Sequence, residues 1–381
     1  MLLIQNATLL EPTGNFRSGR DLLIQNGQIA AVGEHLSQAG CEILDVQGAF
    51  VTPGLIDAHC HVGLLEDGAG AAGDDINETS DPVMPQLRAI DGINPQDRAF
   101  REALEAGVTT VMTGPGSANV IGGQFCIMRT AGDTLEQMLL RQPAAVKVAF
   151  GENPKRFYGA KKTAPITRMA AVSLLREALF TARRYQEKLQ SARTVAERPD
   201  YDAKSEALLP VLRGELPLKI HAHRADDIQN AIRVAEEFGV RYTVDHCTEG
   251  HLIAGILREH NTACILGPLL LGRPKVEMLN LSWQGASVLE KAGVRFAFCT
   301  DSPEVPGALL AATAAACVRE GLSEEAAMRA LTSTSAEILG LQDRIGRLEA
   351  GMEADIAVFR AHPLDLRARP AYVFVGGRRV I

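Results

Sequence analysis

His59 and His61, separated by Cys60, follow the apolar pair Leu55-Ile56 and offer two imidazoles at positions i and i+2. In an extended strand such residues share a face, so both rings can reach one ion. Two more histidines and an aspartate close β-rich runs: His221 ends LKIH, His246 ends TVDH and Asp301 ends FAFCTD. Imidazole nitrogens and carboxylate oxygens are the donors of zinc-type sites. A cation held by them keeps one position open for water and lowers that water's pKa to about 7, so hydroxide is available at neutral pH. Asp301 can take the water's proton and pass it to a leaving nitrogen, while His246 or His223 holds the oxyanion. The chemistry expected is hydrolysis of a C–N bond in an amide, cyclic amide or peptide-like small molecule. A packed core histidine is the bland alternative at each position taken alone. Four strand ends carrying ligand-type residues favour the metal.

Such side chains need a scaffold that delivers strand ends to one face. Strand-like runs occur at 55–62, 108–114, 123–129, 145–151, 218–223, 242–247, 262–267 and 295–301. Helical patterns lie at 95–106, 133–141, 167–190, 225–238, 250–259, 284–292, 305–319 and 323–338. Eight strands interleaved with helices predict an α/β fold, a (β/α)8 TIM-type barrel over residues 53–346, with a doubly wound open sheet as the rival. Residues 1–52 and 347–381 read instead as short strands, with an Asn26-Gly27 hairpin turn. Chain ends often lie close, so the two segments are expected to form one small β-sandwich domain. The Gly/Asp/Asn-rich stretch 63–95 reads as a long loop at the mouth, and 186–209 as a helical or mobile excursion.

Bulk properties narrow the function. With a net charge of -7 and no Lys/Arg stripe, nucleic acid is a poor partner and a small molecule the expected one. No apolar run approaches the ~20 residues of a membrane span, and the first residues lack a basic leader. The seven cysteines are widely spaced and odd in number. Reduced thiols in a cytoplasmic protein are expected. The segment GENPKRFYG (151–159) reads as a mouth loop in which Asn153, Arg156 and Tyr158 meet substrate, Arg156 pairing with a carboxylate. His223, two residues beyond His221, is also read as substrate-facing. The glycine-rich run 114–123 offers backbone N–H groups but lacks the dinucleotide pattern.

The motifs VTPGLIDAHCH (51–61), EAGVTTV (105–111), VKV (146–148), IHAH (220–223), DHC (245–247) and CTDSP (299–303), with LTSTSAEILGL (331–341) and GRLEAGMEADIAVF (346–359), carry a resemblance. Over nearly its whole length the chain resembles the amidohydrolase superfamily, in particular its imidazolonepropionase-like members. That resemblance implies a distorted barrel, a small β-sandwich from both ends, and one or two zinc or other divalent ions on His59, His61, His221, His246 and Asp301. It also implies a homo-oligomer. Two-ion members bridge their cations with a carbamylated lysine on the fourth strand, and Lys147 matches that position. A lysine merely buried or paired is the alternative for Lys147, and Glu152 is the alternative ligand. Deaminase relatives carry a glutamate soon after the fifth-strand histidine. Residues 222–227 contain none, so amide or lactam hydrolysis is favoured over aminohydrolase chemistry, for which Asp226 or Asp227 would have to substitute. A non-catalytic scaffold is the third reading, although such relatives usually lose several ligands.

Overall fold

A computed structural model describes residues 1–381. The chain begins with five strands: β1 (Leu2–Leu10), β2 (Phe16–Gln25), β3 (Gln28–Gly33), β4 (Glu42–Asp45) and β5 (Phe50–Pro53). Asn26 and Gly27, both with positive φ (51° and 81°), make the two-residue turn between β2 and β3. That is the turn chemistry a right-twisted hairpin demands. Eight strands follow in the middle of the chain: β6 (Leu55–Cys60), β7 (Val108–Thr113), β8 (Ile121–Arg129), β9 (Leu139–Ala149), β10 (Leu218–Ala222), β11 (Tyr242–His246), β12 (Ala263–Leu266) and β13 (Phe296–Phe298). The last three are β14 (Ile356–Phe359), β15 (Pro370–Val375) and β16 (Arg378–Arg379).

The strands β6 to β13 are hydrogen-bonded in chain order. The ring closes where the Asp301 N–H donates to the His59 carbonyl (3.1 Å) and the His61 N–H to that of Ser302 (2.8 Å). This is a TIM-type barrel, with the expected strand order. One expectation needs correction: β8 runs antiparallel to both β7 and β9. Residues 114–120 are too few for a crossover helix of a dozen residues, so the chain turns back as a hairpin.

Strand alternation sorts the barrel's side chains. Ile220, Ala222, Val146, Val148 and Val244 join a core with Leu175, Leu179, Val234 and Leu257 of the surrounding helices. The opposite face of β9 and β10 puts Lys147 beside Lys219. Both ammonium groups lie over the Phe125 ring, at 5.6 and 5.5 Å, and Phe125 packs with Met112, Ile127, Ala145, Ile265 and Ala297. The polar layer thus rests on an apolar plug.

Three local expectations also change. Of 133–141 only Leu135–Met138 is helical, and β9 already begins at Leu139. The segment read as a mouth loop at 151–159 is the helix Glu152–Ala160, entered through Gly151 at φ 85°. The excursion at 186–209 is the end of the long helix Arg168–Ser191 and the start of another, Ala203–Leu212.

Strands from both chain ends share one sheet, ordered β16-β15-β14-β5-β1-β2-β3, with β4 also on β1. The first half of β1 pairs with β4 and its second half with β5; between them Asn6 takes φ 58°. Ile4, Leu9, Leu22, Ile24, Val51, Ile356, Val358 and Phe374 form this unit's own apolar core. No helix of the chain is long and apolar enough to cross a membrane.

Candidate metal centre

Register sets the level of the site. His221 lies opposite Asp245, and His246 opposite both Ala222 and Leu266, so the ends of β10, β11 and β12 finish together. Alternation alone would turn His246 away from the interior, because its neighbour Asp245 already points there at Lys219. The left-handed backbone at His246 (φ 68°) and Cys247 (φ 48°) ends the strand and turns the imidazole inward. Asp301, beyond β13, takes the same conformation (φ 56°). Non-glycine residues held there cost energy and cluster at functional sites.

The side chains converge. Asp301 Oδ1 lies 3.1 Å from His61 Nε2 and 3.3 Å from His59 Nε2. Ligand-type atoms of His59, His246 and Asp301 all fall within 4.8 Å of one another, and so do those of His221, His223 and His246. Lys147 Nζ lies 3.5 Å from His59 Nε2. A tetrahedral zinc-type ion has bonds of ~2.0–2.2 Å, so its ligand atoms lie roughly 3.4 Å from one another. Both ring nitrogens of His221 and one oxygen of Asp301 are buried without a hydrogen-bond partner. Such orphaned donors and acceptors are costly unless something occupies the space between them. The donor set therefore fits a divalent cation.

Backbone and carboxylate groups hold the outward nitrogens. His61 Nδ1 sits 2.7 Å from the Gly114 carbonyl and His246 Nδ1 2.7 Å from that of Gly267. His59 Nδ1 approaches Asp245 Oδ2 to 2.8 Å, although at an angle off hydrogen-bond geometry. Each contact leaves Nε2 facing the centre, the arrangement in which a second partner fixes a metal-binding imidazole. Asp245 is in turn held by Lys219 (3.2 Å), whose ammonium also donates to the Ala58 carbonyl (2.9 Å).

Electrostatics keep the imidazoles neutral. Burial pushes His59, His221 and His246 below their usual range, reinforced by neighbouring His and Lys charges. Burial and then His246 take His223 down to about 3. Neutral rings have a lone pair to offer. Burial would raise the Asp301 carboxyl, but His246, His59 and His61 outweigh it and hold it well below the carboxylate range. Lys147 is brought down to about 8 by burial, against the pull of Asp245 and Asp301.

A model of the Amidohydrolase family matches residues 50–380. The chain belongs to that family. It is 29% identical over 394 residues to the amidohydrolase tasK of Hapsidospora irregularis, covering 94% of this chain but only 39% of that longer protein. It is 29% identical to an imidazolonepropionase of Rubrobacter xylanophilus, over 90% of this chain and 85% of that one. Among solved structures, an amidohydrolase from Thermotoga maritima MSB8 superposes with a TM-score of 0.97 at 40% identity, covering 100% of both chains.

Around the centre of this amidohydrolase opens a cleft of about 240 Å³. His61, His221, His223 and Asp301 form its floor; Asn153, Arg156 and Lys275 stand on its walls with Gly116, Ser117 and Ala118 of the glycine-rich run. Of the residues expected at the substrate, His223, Asn153 and Arg156 are therefore at the cleft. Tyr158 is elsewhere: it is buried, and its hydroxyl accepts from the Asn119 amide (3.1 Å). A helix where a loop was expected turns alternate residues away, which separates it from Arg156. Glu152 heads the same helix and joins no ligand group. Asp226 and Asp227 are occupied by Arg224 (3.0 Å) and Arg168 (2.9 Å) and do not line the cleft. That removes the proposed substitutes for a deaminase glutamate.

Two buried acids escape sequence reading. Asp245 looks like an ordinary strand residue beside His246, and only tertiary structure brings it to His59. Glu277 comes from the irregular segment after β12, is 2% exposed, and lies 3.8 Å from His221 Nε2 and 3.7 Å from His223 Nε2. Its run, KVEMLN, carries no ligand spacing or strand signal.

Proposed function

We propose that this amidohydrolase is a metal-dependent hydrolase of C–N bonds in amides, cyclic amides or peptide-like small molecules. The observation that carries this reading is that His59 and His61 meet Asp301 Oδ1 at 3.3 and 3.1 Å while His246 lies within ligand range of Asp301 on one side and of His221 on the other, with buried donor atoms left unpartnered. His59, His61 and Asp301 would hold one cation, zinc by donor type; His221 and His246 would hold a second, with Lys147, once carbamylated, between them. When bound, such an ion polarises a carbonyl and acidifies water.

The chain's own groups supply the rest. Asp301, a carboxylate at neutral pH, takes the proton of the attacking water and delivers it to the leaving nitrogen. His223, oriented by a 2.7 Å contact with Thr248 Oγ1, presents Nε2 to the developing oxyanion. Arg156 and Lys275 give the cleft a cationic wall. A substrate carrying a carboxylate beside the scissile bond, such as an N-acyl amino acid or dipeptide, suits that wall. We read the terminal sheet, folded about its own core, as the small sandwich unit of residues 1–52 and 347–381, flanking the hydrolase barrel 53–346.

The test is a hydrolysis screen of N-acyl amino acids, dipeptides and lactams on the zinc-loaded protein, with a parallel deaminase panel of nitrogen heterocycles. Release of a carboxylate and amine from the first set supports the reading. Ammonia from the heterocycles alone would replace it with aminohydrolase chemistry.

A further inference from the structure

His59, His61 and His246 each have their outward nitrogen beside an acceptor, at 2.8, 2.7 and 2.7 Å. His221 does not: both its ring nitrogens are buried and unpartnered. Beside it, 3.8 Å from Nε2, lies Glu277 Oε1, another buried atom without a partner. Two buried polar groups without partners are destabilising unless they serve one another.

We propose that Glu277 is the positioning residue for His221, accepting its Nε2–H so that Nδ1 carries the lone pair toward the cation. The proposal rests on the metal reading above. An approach of about 1 Å brings the pair into N–H···O range. His223 Nε2 is 3.7 Å from the same oxygen, but that ring is already fixed, by Thr248 on Nδ1 and by stacking on His246 at 4.8 Å.

The seat of the carboxylate is built for it. Glu277 Oε2 accepts the backbone N–H of Glu152 at 2.8 Å, at the start of the helix Glu152–Ala160. Gly151, immediately before, has φ 85°, and a Cβ there would stand 2.6 Å from that same oxygen. Only glycine leaves room. The turn after β9 thus receives an acid from the segment after β12 and presents it to a histidine on β10.

Zinc affinity, measured on chelator-stripped protein by competition with a chromogenic chelator, tests this together with the visible spectrum of the cobalt-loaded protein. Glu277→Leu is expected to bind the ion at His221 roughly 10–100-fold less tightly and to alter the cobalt bands. Glu277→Gln, whose amide oxygen still accepts from Nε2–H, recovers most of that loss. Gly151→Ala, which crowds the seat and leaves both partners in place, weakens binding in the same direction. Wild-type affinity and spectrum in Glu277→Leu would overturn the proposal, as would a Glu277→Gln no better than leucine. Should the leucine variant not fold, wild-type behaviour of Gly151→Ala overturns it instead. A wild type that takes up no ion would fail the metal reading itself, a separate result.

Discussion

His59, His61 and His246 each rest on a neighbour that fixes the ring's orientation, and the residues divide into those that would face a bound ion and those behind them. Replacing both His59 and His61 by Ala removes two Nε2 donors around Asp301; metal content and hydrolysis should both fall to background, checked by elemental analysis and turnover. Lys147→Ala should lower ion content toward one per chain, with activity partly restored by short carboxylic acids that can occupy the carbamate's place. Unchanged two-ion content in that variant would rule out a bridging carbamate. The Lys147 amine, at about 8, is neutral in part near neutral pH, which carbamate formation requires. Asp245→Asn acts from behind. It leaves Lys219 and Lys147 facing each other across adjacent strands with no anion at Lys219, and stability should drop by about 3–5 kcal/mol in urea unfolding. The convergence of His59, His61, His221, His246 and Asp301 is legible in sequence because each lies at the end of a β-rich run. Asp245 and Glu277 are not, since their importance arises only from what the fold brings against them.

Strand ends place the candidate ligands, so a change at a strand end should be felt by an ion bound there. Gly267, directly after β12, has φ 140°, and a Cβ there would meet the Cys299 carbonyl oxygen at 2.1 Å. Its own carbonyl holds His246. Gly267→Ala should therefore lower stability by at least ~2 kcal/mol in denaturant and weaken ion binding too, although no ligand is altered. All eight barrel strands are legible because their apolar, β-branched runs are bounded by turn residues. The direction of β8 is harder to see: periodicity reports that a segment is extended, not which way it runs. The length of 114–120 held the clue, being too short for a crossover. At GENPKRFYG the glycines and proline suggest a loop, yet Pro154 falls in the first turn of the helix Glu152–Ala160, where its missing N–H is not needed. Tertiary support then overrides weak local propensity, and Tyr158 turns inward with it.

Barrel and terminal sheet are tied together by Arg129, at the end of β8, which reaches Asp355 (3.1 Å) and Glu353 just before β14. Asp355 is 4% exposed. Arg129→Met leaves that buried carboxylate without its cation and should cost about 3 kcal/mol, read as a lower unfolding temperature of the whole chain. Pairing of the two chain ends was legible from their shared strand patterning. The strand order and register of the sheet they share were not, because a pairing such as Phe50 with Phe359 depends on tertiary fit. Ion binding should also register globally, since a ligand bound only by the folded state adds about 2.7 kcal/mol at a hundredfold excess over its Kd. The most direct measurement is anomalous X-ray scattering at the zinc edge from crystals of the zinc-loaded protein. Peaks within bonding distance of His59, His61 and Asp301, and of His221 and His246, are the predicted result. A zinc-loaded crystal with no peak among those residues, or with zinc bound only elsewhere on the surface, would contradict the account.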